Sequence, residues 1–294
     1  MVKNSNYKVF KDRERESSVA FLNDNYIKPG CSILDIGGAS GSLLNSISKE
    51  VPIDGTVLDT DADLLRYGSE KYPHIKFIEG WFPNNVPDEK YDIVTMQALF
   101  PHLADWKRSI LTMSKLSKKY INFSALTRVN GTTVTDRDVS YFYYLDTGIR
   151  TPQVICNIFE IVNFLCVQEV RAKTIQFCGN ATMRFPKMPP DMLEDIKQNS
   201  GEFRDYVLSF KNRGHVFRCD LGFRIFHGNF MVELFSEEEN PKRVGGLGPD
   251  HKEDIPGYEF FRPEIRVDLN GKQFFYHKDE DVSINAAIVW GGML

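Results

Sequence analysis

Two aspartates and a group of glycines near the start of the chain are the residues best placed, by type and spacing, to hold a small ligand. In the stretch CSILDIGGASGSLLNSI, Asp35 ends an apolar run, and Gly37, Gly38 and Gly41 follow it. Asp59 ends the next apolar run, GTVLD, 18 residues after Gly41. Glycine lets the backbone turn sharply and approach a ligand closely, and an acid at the second position can accept hydrogen bonds from ribose hydroxyls. The pattern therefore predicts a nucleoside site.

The glycine turn discriminates between two classes of nucleoside ligand. A turn between a strand and a helix directs backbone N–H groups at the ligand, and both dinucleotides and S-adenosylmethionine use such a turn. The dinucleotide fingerprint is G-x-G-x-x-G, whereas this chain has D-x-G-x-A-x-G. A carboxylate at Asp35 would repel a pyrophosphate and would attract an ammonium and a sulfonium. These features favour S-adenosylmethionine, and a phosphate-binding GxxxxGK[ST] loop is absent from the sequence.

The segments around these residues alternate between strand-like and helix-like patterns. Such alternation predicts an α/β fold in which helices cover both faces of a parallel sheet. A further helix is predicted over residues 7–27, before Pro29-Gly30. The strand-like segments are SILDI, GTVLD, IKFIE, YDIVTM and YINFSAL, and the helix-like segments are Ser40–Glu50, Ala62–Lys71 and Ala104–Ser117.

After Leu126 the regular alternation stops. We expect a helix over Pro152–Leu165, a strand over Val167–Phe177 and a helical segment over residues 188–214. The stretch FRIFHGNFMVELF predicts a strand, a turn and a second strand. Asn270-Gly271 predicts a β-hairpin, because this dipeptide suits the tight turn between two strands.

The overall composition is that of a globular protein without a nucleic-acid or membrane partner. The net charge is -4 and the pI about 5.9, so a domain-wide basic surface for duplex nucleic acid is not expected. No apolar run reaches the roughly 18 residues that a membrane span needs. The start of the chain is polar and does not resemble a signal peptide. The 5 cysteines include no CxxC pair, so we expect no zinc site and no disulfide framework, and a cytoplasmic location.

Residues 31–126 resemble the core of the class I S-adenosylmethionine-dependent methyltransferases. ILDIGGASGSLL resembles the first motif of that family, VLDTDADLL the ribose-binding second motif, IKFIEGWFPNNVP the third and YDIVTMQALFPHLADW the fourth. The resemblance implies a Rossmann-like, doubly wound, mostly parallel sheet with an insertion after the fifth strand. We divide the chain into a methyltransferase core over 1–238, with an acceptor-side insertion at about 128–165, and a small β-rich C-terminal extension over 239–294.

The resemblance also implies which residues hold the cofactor. Two positions depart from the family pattern. Ala39 replaces the usual third glycine of the turn, and Trp81 stands where the family commonly has an acid that holds the adenine amino group. We therefore expect adenine to be recognised by stacking or by backbone contacts near Trp81-Phe82. The expected cofactor-binding residues are Asp35, Gly37, Gly38, Gly41, Asp59, Thr60, Trp81, Phe82 and Gln97.

Methyl transfer to an alcohol also needs a group that removes the hydroxyl proton, and histidine suits this role. His102 is the leading candidate because it follows the end of the fourth strand, where ligands of open α/β sheets bind. His227 is a second candidate. Tyr141 and Tyr144 are three positions apart, so we expect them on one face of a helix that lines the acceptor pocket as a lid. Arg150 could pair with an acidic group of the acceptor.

These features predict methyl transfer to a small-molecule or sugar-like acceptor, at oxygen in preference to nitrogen. No metal is expected, because VTMQAL lacks the acid that the catechol-type branch has at the end of the fourth strand. Methylation of nucleobase amino groups is not expected, because the Asn/Asp-Pro-Pro-aromatic motif is absent there. The alternatives are an N-methyltransferase, a nicotinamide-dependent oxidoreductase and a non-catalytic nucleoside-binding partner subunit. Homodimer formation is left open.

Overall fold

The first half of the fold is an alternation of strands and helices. A computed structural model describes residues 26–129, 131–136, 140–144, 150–166, 169–181, 206–210, 215–219, 226–236, 238–239, 243–244, 260–261, 264–269 and 272–276. The predicted helix over 7–27 therefore lies outside the described residues, apart from its last two positions. Up to Arg128 the elements are β1 (Cys31–Ile36), α1 (Ser42–Glu50), β2 (Ile53–Asp59), α2 (Ala62–Lys71), β3 (Lys76–Glu79), β4 (Tyr91–Met96), a short 3-10 helix (Phe100–His102), α3 (Trp106–Leu116) and β5 (Ser117–Arg128).

The starts of α2 and α3 are capped by side chains. The Asp61 carboxylate accepts a hydrogen bond from Leu64 N at 3.3 Å, at the start of α2. The Asp105 carboxylate does the same for Arg108 N at 3.1 Å, at the start of α3. Each carboxylate satisfies a backbone donor that the first helical turn leaves without an intrahelical partner.

The part of the chain after β5 is rich in strands. The predicted helix over Pro152–Leu165 is shorter than expected, because residues 150–157 form two short strands before it. The predicted strand over Val167–Phe177 begins later, at Ala172. The elements are β6 (Ser140–Tyr144), β7 (Arg150–Pro152), β8 (Ile155–Asn157), α4 (Ile158–Leu165), β9 (Ala172–Ala181), β10 (Tyr206–Phe210), β11 (His215–Cys219), β12 (Phe226–Leu234), β13 (Arg243–Val244), β14 (Phe260–Phe261), β15 (Glu264–Leu269) and β16 (Lys272–Tyr276).

Among the described residues, one large sheet has the order β16-β15-β9-β12-β5-β4-β1-β2-β3, with β8 also paired to β5. The strands from β3 to β5 are parallel, and β12 is antiparallel to both of its neighbours, β5 and β9. The sheet is thus Rossmann-like and mostly parallel, as predicted. Chain order reverses between β1 and β4, and the crevice at such a reversal, at the carboxyl ends of the strands, is where open α/β sheets bind ligands.

Helices cover the sheet on both faces because consecutive strand residues point to opposite sides. In β1, Ile33 belongs to an apolar cluster with Leu44 of α1, whereas Leu34 belongs to a second cluster with Ile110 of α3. All four side chains are fully buried. The strands therefore have an almost continuous apolar sequence, which is typical of a parallel sheet between two helical layers.

A second sheet, with the order β10-β11-β6-β7, is assembled from two distant parts of the chain. Its strands β6 and β7 follow β5, and its strands β10 and β11 come between β9 and β12. This sheet overturns two predictions. Tyr141 and Tyr144 lie on β6, so they do not share a face of a helix, and Tyr206–Phe210 forms a strand within the segment predicted to be helical. The remainder of 188–214 lies outside the described residues.

The expected turn at His227–Asn229 is also wrong, because β12 runs without interruption from Phe226 to Leu234. Gly228 pairs with Ala125 of β5 on one side and with Gly179 of β9 on the other. A Cβ atom built on Gly228 would lie 2.5 Å from the Phe177 ring. Position 228 therefore requires glycine because neighbouring strands and an aromatic side chain approach it closely, and not because the chain turns there.

The predicted C-terminal hairpin is confirmed in its strands. β15 and β16 pair in antiparallel register with Leu269 opposite Lys272, and Asn270-Gly271 between them lie outside the described residues. β15 also pairs in parallel with β9, so the hairpin extends the central sheet. The proposed division of the chain at 238/239 stays a prediction. In the described part of the chain, no helix combines the length and the apolar character needed to cross a bilayer.

Candidate active site

The glycine turn after β1 has a backbone that most side chains would not tolerate. Gly37 and Gly41 have positive φ values of 73° and 81°, and Ala39 also has a positive φ, 54°. Gly37 N donates to Leu58 O at 2.7 Å, which ties the turn to β2. A Cβ atom on Gly37 would lie 2.8 Å from Leu99 Cδ2. The turn therefore packs directly against the segment that follows β4, and glycine is the residue that fits there.

Asp35 lies beneath this turn with only 2% of its surface exposed. A Cβ atom on Gly38 would lie 2.6 Å from Asp35 Oδ2, so the carboxylate occupies the space that a side chain at position 38 would need. Asp35 and Gly38 therefore depend on each other. A buried carboxylate at the carboxyl end of β1 gives this crevice negative character, which suits a cationic ligand and opposes a phosphate.

Asp59 joins the loops that follow three neighbouring strands. Its Oδ2 accepts a hydrogen bond from Ala39 N at 3.0 Å, and its Oδ1 accepts one from Asp61 N at 3.0 Å. Its backbone carbonyl accepts one from Gly80 N, also at 3.0 Å. Each carboxylate oxygen has a second lone pair. Asp59 is thus held rigidly while it keeps the capacity to accept hydrogen bonds from a diol.

Thr60, Trp81 and Phe82 lie beside Asp59 but differ in exposure. Thr60 is exposed, and Trp81 is 65% exposed although it is large and apolar. Phe82 is 7% exposed and packs in the core cluster. Of the two predicted aromatic residues, Trp81 is the one whose ring can stack on a ligand.

Gln97 is placed at the end of β4 as expected, but its side chain points into the protein. Its Nε2 donates to Thr95 Oγ1 at 3.1 Å and to Asn122 Oδ1 at 2.5 Å. Asn122 Nδ2 in turn donates to Phe230 O at 2.8 Å. The next residue, Ala98, has a φ of 61°. What this segment can present to a ligand is therefore its backbone.

Asn122 and Ser124 are site-supporting residues that the sequence analysis missed. Ser124 Oγ accepts a hydrogen bond from Ala98 N at 2.7 Å and so fixes the turn after β4. Both residues are buried, at 1% and 3% exposure. The available signal was their alternation with apolar residues in YINFSAL, which places two polar side chains on one face of a buried strand.

His102 ends the 3-10 helix that follows β4, three residues after the Leu99 that touches the glycine turn. Its Nδ1 lies 3.0 Å from Pro152 O and 2.7 Å from Gln153 Nε2. Val154 N also donates to Pro101 O. The segment around His102 is therefore anchored by residues about 50 positions later in the chain, and no sequence pattern indicated Gln153.

The other predicted acceptor-side residues lie on three strands, β6, β7 and β12. Tyr141 is buried at 4% exposure on β6. His227 is exposed on β12, and the side chains of Tyr144 and Arg150 lie outside what the structure describes. His74 is exposed and lies 3.0 Å from Ser48 Oγ. Of the two candidate histidines, His102 is thus the one whose segment packs against the glycine turn.

Cysteine and metal chemistry have no support among the described residues. Burial raises the pKa of the Cys156 thiol well above its ordinary value and raises that of Cys166 to about 12. Both thiols are therefore protonated and unreactive near neutral pH. In the part of the chain that the structure describes, no group of three or more histidine, cysteine or acidic residues is arranged to hold a metal ion.

The sheet order, the glycine turn and the two carboxylates together define a Rossmann-like domain with a ligand crevice at the β1/β4 reversal. Residues 6–127 match a family model described as a methyltransferase domain. This segment is therefore similar to methyltransferase domains, in agreement with the resemblance found in the sequence.

Individual relatives agree with that assignment over part of the chain. "Putative methyltransferase 235L" of Invertebrate iridescent virus 6 is 30% identical over 135 residues, which cover 44% of this chain and 51% of that protein. The chain thus spans about half the length of this curated relative. Among solved structures, a chain of the "Complex between the Haloferax volcanii Trm112 methyltransferase activator and the putative methyltransferase" aligns with a TM-score of 0.50 and 14% identity. That alignment covers 79% of this chain and 94% of the other, and it shows a shared fold.

Proposed function

We propose that this protein transfers a methyl group from S-adenosylmethionine to a hydroxyl group of a small-molecule or sugar-like acceptor. The observation that carries the proposal is the pair of carboxylates, Asp35 and Asp59, that flank the glycine turn at the sheet reversal. They would form a negatively charged crevice with a diol-binding acid, inside a segment that matches a methyltransferase-domain model. A cationic nucleoside is the ligand that this crevice fits.

Each portion of S-adenosylmethionine has candidate binding residues at this edge of the sheet. The glycines of the turn from Gly37 to Gly41 would let the backbone approach the amino-acid portion closely, and Asp35 would contribute negative charge from beneath. Asp59 would hold the ribose hydroxyls, with Thr60 beside it, and the exposed Trp81 would stack on adenine. The main chain at Gln97 and Ala98 would close the other side. When bound, the cofactor supplies an electrophilic methyl group, so the protein's task is to position and deprotonate the acceptor.

His102 is the proposed general base for an oxygen acceptor. Its segment packs on the glycine turn through Leu99, so the imidazole belongs to the same edge of the sheet as the cofactor residues. Removal of a hydroxyl proton requires a ring nitrogen that carries no proton. Pro152 O lies 3.0 Å from Nδ1 and can accept a hydrogen bond from a proton held there, in which case Nε2 is the ring nitrogen without a proton.

The second sheet is the proposed cover of the acceptor site. β5 and β9 run in the same direction, because both are antiparallel to β12. The segments that build the second sheet follow the carboxyl ends of these two strands, at Arg128 and at Ala181. Ligand crevices of such sheets lie at that edge. A sheet added there can enclose a small acceptor and exclude water from it.

Binding measurements test the cofactor assignment. Calorimetry with S-adenosylmethionine, S-adenosylhomocysteine and NAD⁺ should show binding of the first two and none of the third. Binding of NAD⁺ alone would favour the oxidoreductase alternative and contradict the proposal. Mass spectrometry of the purified protein for a retained nucleoside provides an independent measurement.

An acceptor screen that detects S-adenosylhomocysteine tests the reaction. Release that depends on a hydroxylated small molecule or sugar is the expected result. Release with amines that does not require His102 would favour N-methylation, because a neutral amine needs no base. Cofactor binding without turnover across the screen would favour the role of a non-catalytic partner subunit.

A further inference from the structure

Two alanines at the sheet reversal have backbone conformations that are unfavourable for alanine. Ala39 follows β1 with a φ of 54°, and Ala98 follows β4 with a φ of 61°. In this left-handed region the Cβ atom crowds the following carbonyl oxygen, so residues other than glycine rarely adopt it. Among the described residues, the third non-glycine residue with a positive φ is Arg171, which precedes β9. Two of these three positions therefore follow the two strands that border the ligand crevice.

A side chain from another strand holds the backbone N–H group of each alanine. Ala39 N donates to Asp59 Oδ2 at 3.0 Å, at the end of β2. Ala98 N donates to Ser124 Oγ at 2.7 Å, within β5. Ala98 is exposed, whereas Ser124 is only 3% exposed. Each unfavourable conformation is thus accompanied by a hydrogen bond from outside the strand that the alanine follows.

The conformation of Ala98 determines where the next residue, Leu99, lies. A Cβ atom built on Gly37 would lie 2.8 Å from Leu99 Cδ2, so the Leu99 side chain packs directly against the glycine turn. The backbone has only two soft dihedral angles per residue, so a change of φ at Ala98 would redirect the chain and move Leu99 relative to Gly37. Through Ala98 and Leu99, the Ser124 hydroxyl is therefore connected to the glycine turn.

We propose that Ser124 is a positioning residue that holds Ala98 in its left-handed conformation and so keeps the glycine turn shaped for the cofactor. In the resting protein, the hydrogen bond to Ala98 N offsets the cost of the positive φ. Without the hydroxyl, Ala98 returns to a negative φ, and a ligand must restore the turn when it binds. Glycine at position 98 adopts a positive φ without this cost, so it should make the Ser124 hydroxyl less important.

The effect on cofactor binding rests on the proposed function, but the conformation of Ala98 does not. Crystal structures of the unliganded wild type and of Ser124→Ala measure φ at residue 98 directly. We expect a positive φ in the wild type and a negative φ in the variant. A negative φ in the wild type would overturn the inference even if the variant failed to fold, and so would a positive φ that persists in Ser124→Ala.

Calorimetry with S-adenosylhomocysteine measures the consequence for the crevice. Ser124→Ala should weaken binding about tenfold, the effect of losing one buried hydrogen bond. In the Ala98→Gly background, the same substitution should have an effect at least about threefold smaller, because glycine relieves the strain. An equal loss in both backgrounds would show that Ser124 does not act through Ala98 and would overturn the inference. A wild type that does not bind would contradict the proposed function and leave the crystal structures to decide the inference.

The matched control is Ser117→Ala, at the amino end of the same strand. Ser117 is fully buried, and its Oγ donates to Tyr120 O at 2.8 Å and accepts from Lys119 N at 3.2 Å. The substitution thus removes a buried, hydrogen-bonded serine hydroxyl at the opposite end of β5 from the crevice. We expect the affinity for S-adenosylhomocysteine to stay as in the wild type. A loss as large as that of Ser124→Ala would reveal a general effect of destabilising β5 and would contradict the positioning role.

Discussion

Two regions of this molecule place their functional residues in different ways. In the nucleoside half, residues 26–128, Asp59 bonds to Ala39 across only 20 positions of sequence. The acceptor half, which comprises the described residues after 128, supplies distant partners for residues of the nucleoside half. His102 contacts Pro152, which lies 50 positions later in the chain, and Asn122 donates a hydrogen bond to Phe230, which lies 108 positions later. The first region can therefore be understood from consecutive motifs, whereas the second depends on how distant segments meet.

Because the two regions contribute different residues, substitutions can test cofactor binding and catalysis separately. The proposed cofactor residues of the nucleoside half lie at the ends of adjacent strands, and Asp59 bonds to the glycine turn. His102 belongs to the nucleoside half by sequence but is anchored by Pro152 and Gln153 of the acceptor half. Substitutions in the two regions should therefore affect different steps.

The largest expected effect is on turnover. His102→Ala should lower kcat by about 10²- to 10⁴-fold, the usual contribution of a general base, while S-adenosylmethionine affinity changes less than about twofold. Steady-state kinetics with a hydroxylated acceptor, together with calorimetry, measures both. His74→Ala removes an exposed histidine and serves as the control. Full activity of His102→Ala would reduce His102 to a packing residue and remove the functional contrast between the regions.

The complementary effect is on cofactor affinity. Asp59→Ala should weaken S-adenosylmethionine binding by roughly 1–3 kcal/mol, the cost of losing a charge-assisted hydrogen bond. The loss includes the bonds from Ala39 N and Asp61 N that hold the turn in place. Calorimetry provides the measurement, and Asp63→Ala, at an exposed acid paired with Arg66, is the matched control. Unchanged affinity would remove Asp59 from the site.

A smaller effect is expected at the adenine end. Trp81→Ala should weaken cofactor binding by about 0.5–1.5 kcal/mol, the range for an aromatic stacking contact, and Trp81→Phe should retain most of the affinity. Cofactor titration should quench tryptophan fluorescence in the wild type and much less in Trp81→Phe. Equal quenching in both proteins would place the adenine elsewhere and leave the exposed ring without a ligand role.

The smallest effect should appear at Asp92, at the amino end of β4, and should leave both binding and turnover unchanged. Burial raises the pKa of Asp92, but hydrogen bonds from Ser32 N and Ser32 Oγ, together with Lys118, outweigh it and lower the pKa overall. A lowered folded-state pKa stabilises the protein above the ordinary carboxyl pKa of about 4, and this contribution disappears as the pH falls through the lowered value.

Asp92→Asn should therefore destabilise the protein by about 1 kcal/mol or less near neutral pH, because the carboxylate is partly exposed and screened by solvent. Urea unfolding of both proteins at several pH values measures the difference, which should shrink below about pH 4. A difference that grows on acidification would contradict the lowered pKa.

Sequence patterns predicted the nucleoside half almost element by element. Ala62–Lys71 forms the expected helix, and Asp35 and Asp59 occupy the ends of the expected strands. The prediction worked because a parallel strand between helices is apolar throughout, and because glycine and aspartate mark its end. It did not foresee that the side chain of Gln97 is directed inward, since its partner Asn122 lies on another strand.

The errors in the acceptor half have a common physical cause. Tyr141 was expected on a helix because its spacing from Tyr144 suits one, but a strand partner 77 positions later, Arg218, fixes it in a sheet. Gly228 was expected in a turn because glycine is common there, but Gly179 and the Phe177 ring require it in a strand. In both cases a residue that is distant in sequence but close in space determines the local conformation, so the local sequence pattern does not predict it.

The sequence by itself determined the class of fold and the positions of Asp35 and Asp59 at the ends of neighbouring strands, because these depend on short-range periodicity and on residues at strand ends. Only the tertiary structure decided the second sheet, the inward direction of Gln97 and the contact between His102 and Gln153. Strand pairing and side-chain hydrogen bonds join residues that are remote in sequence, so their partners become known only when the chain is folded.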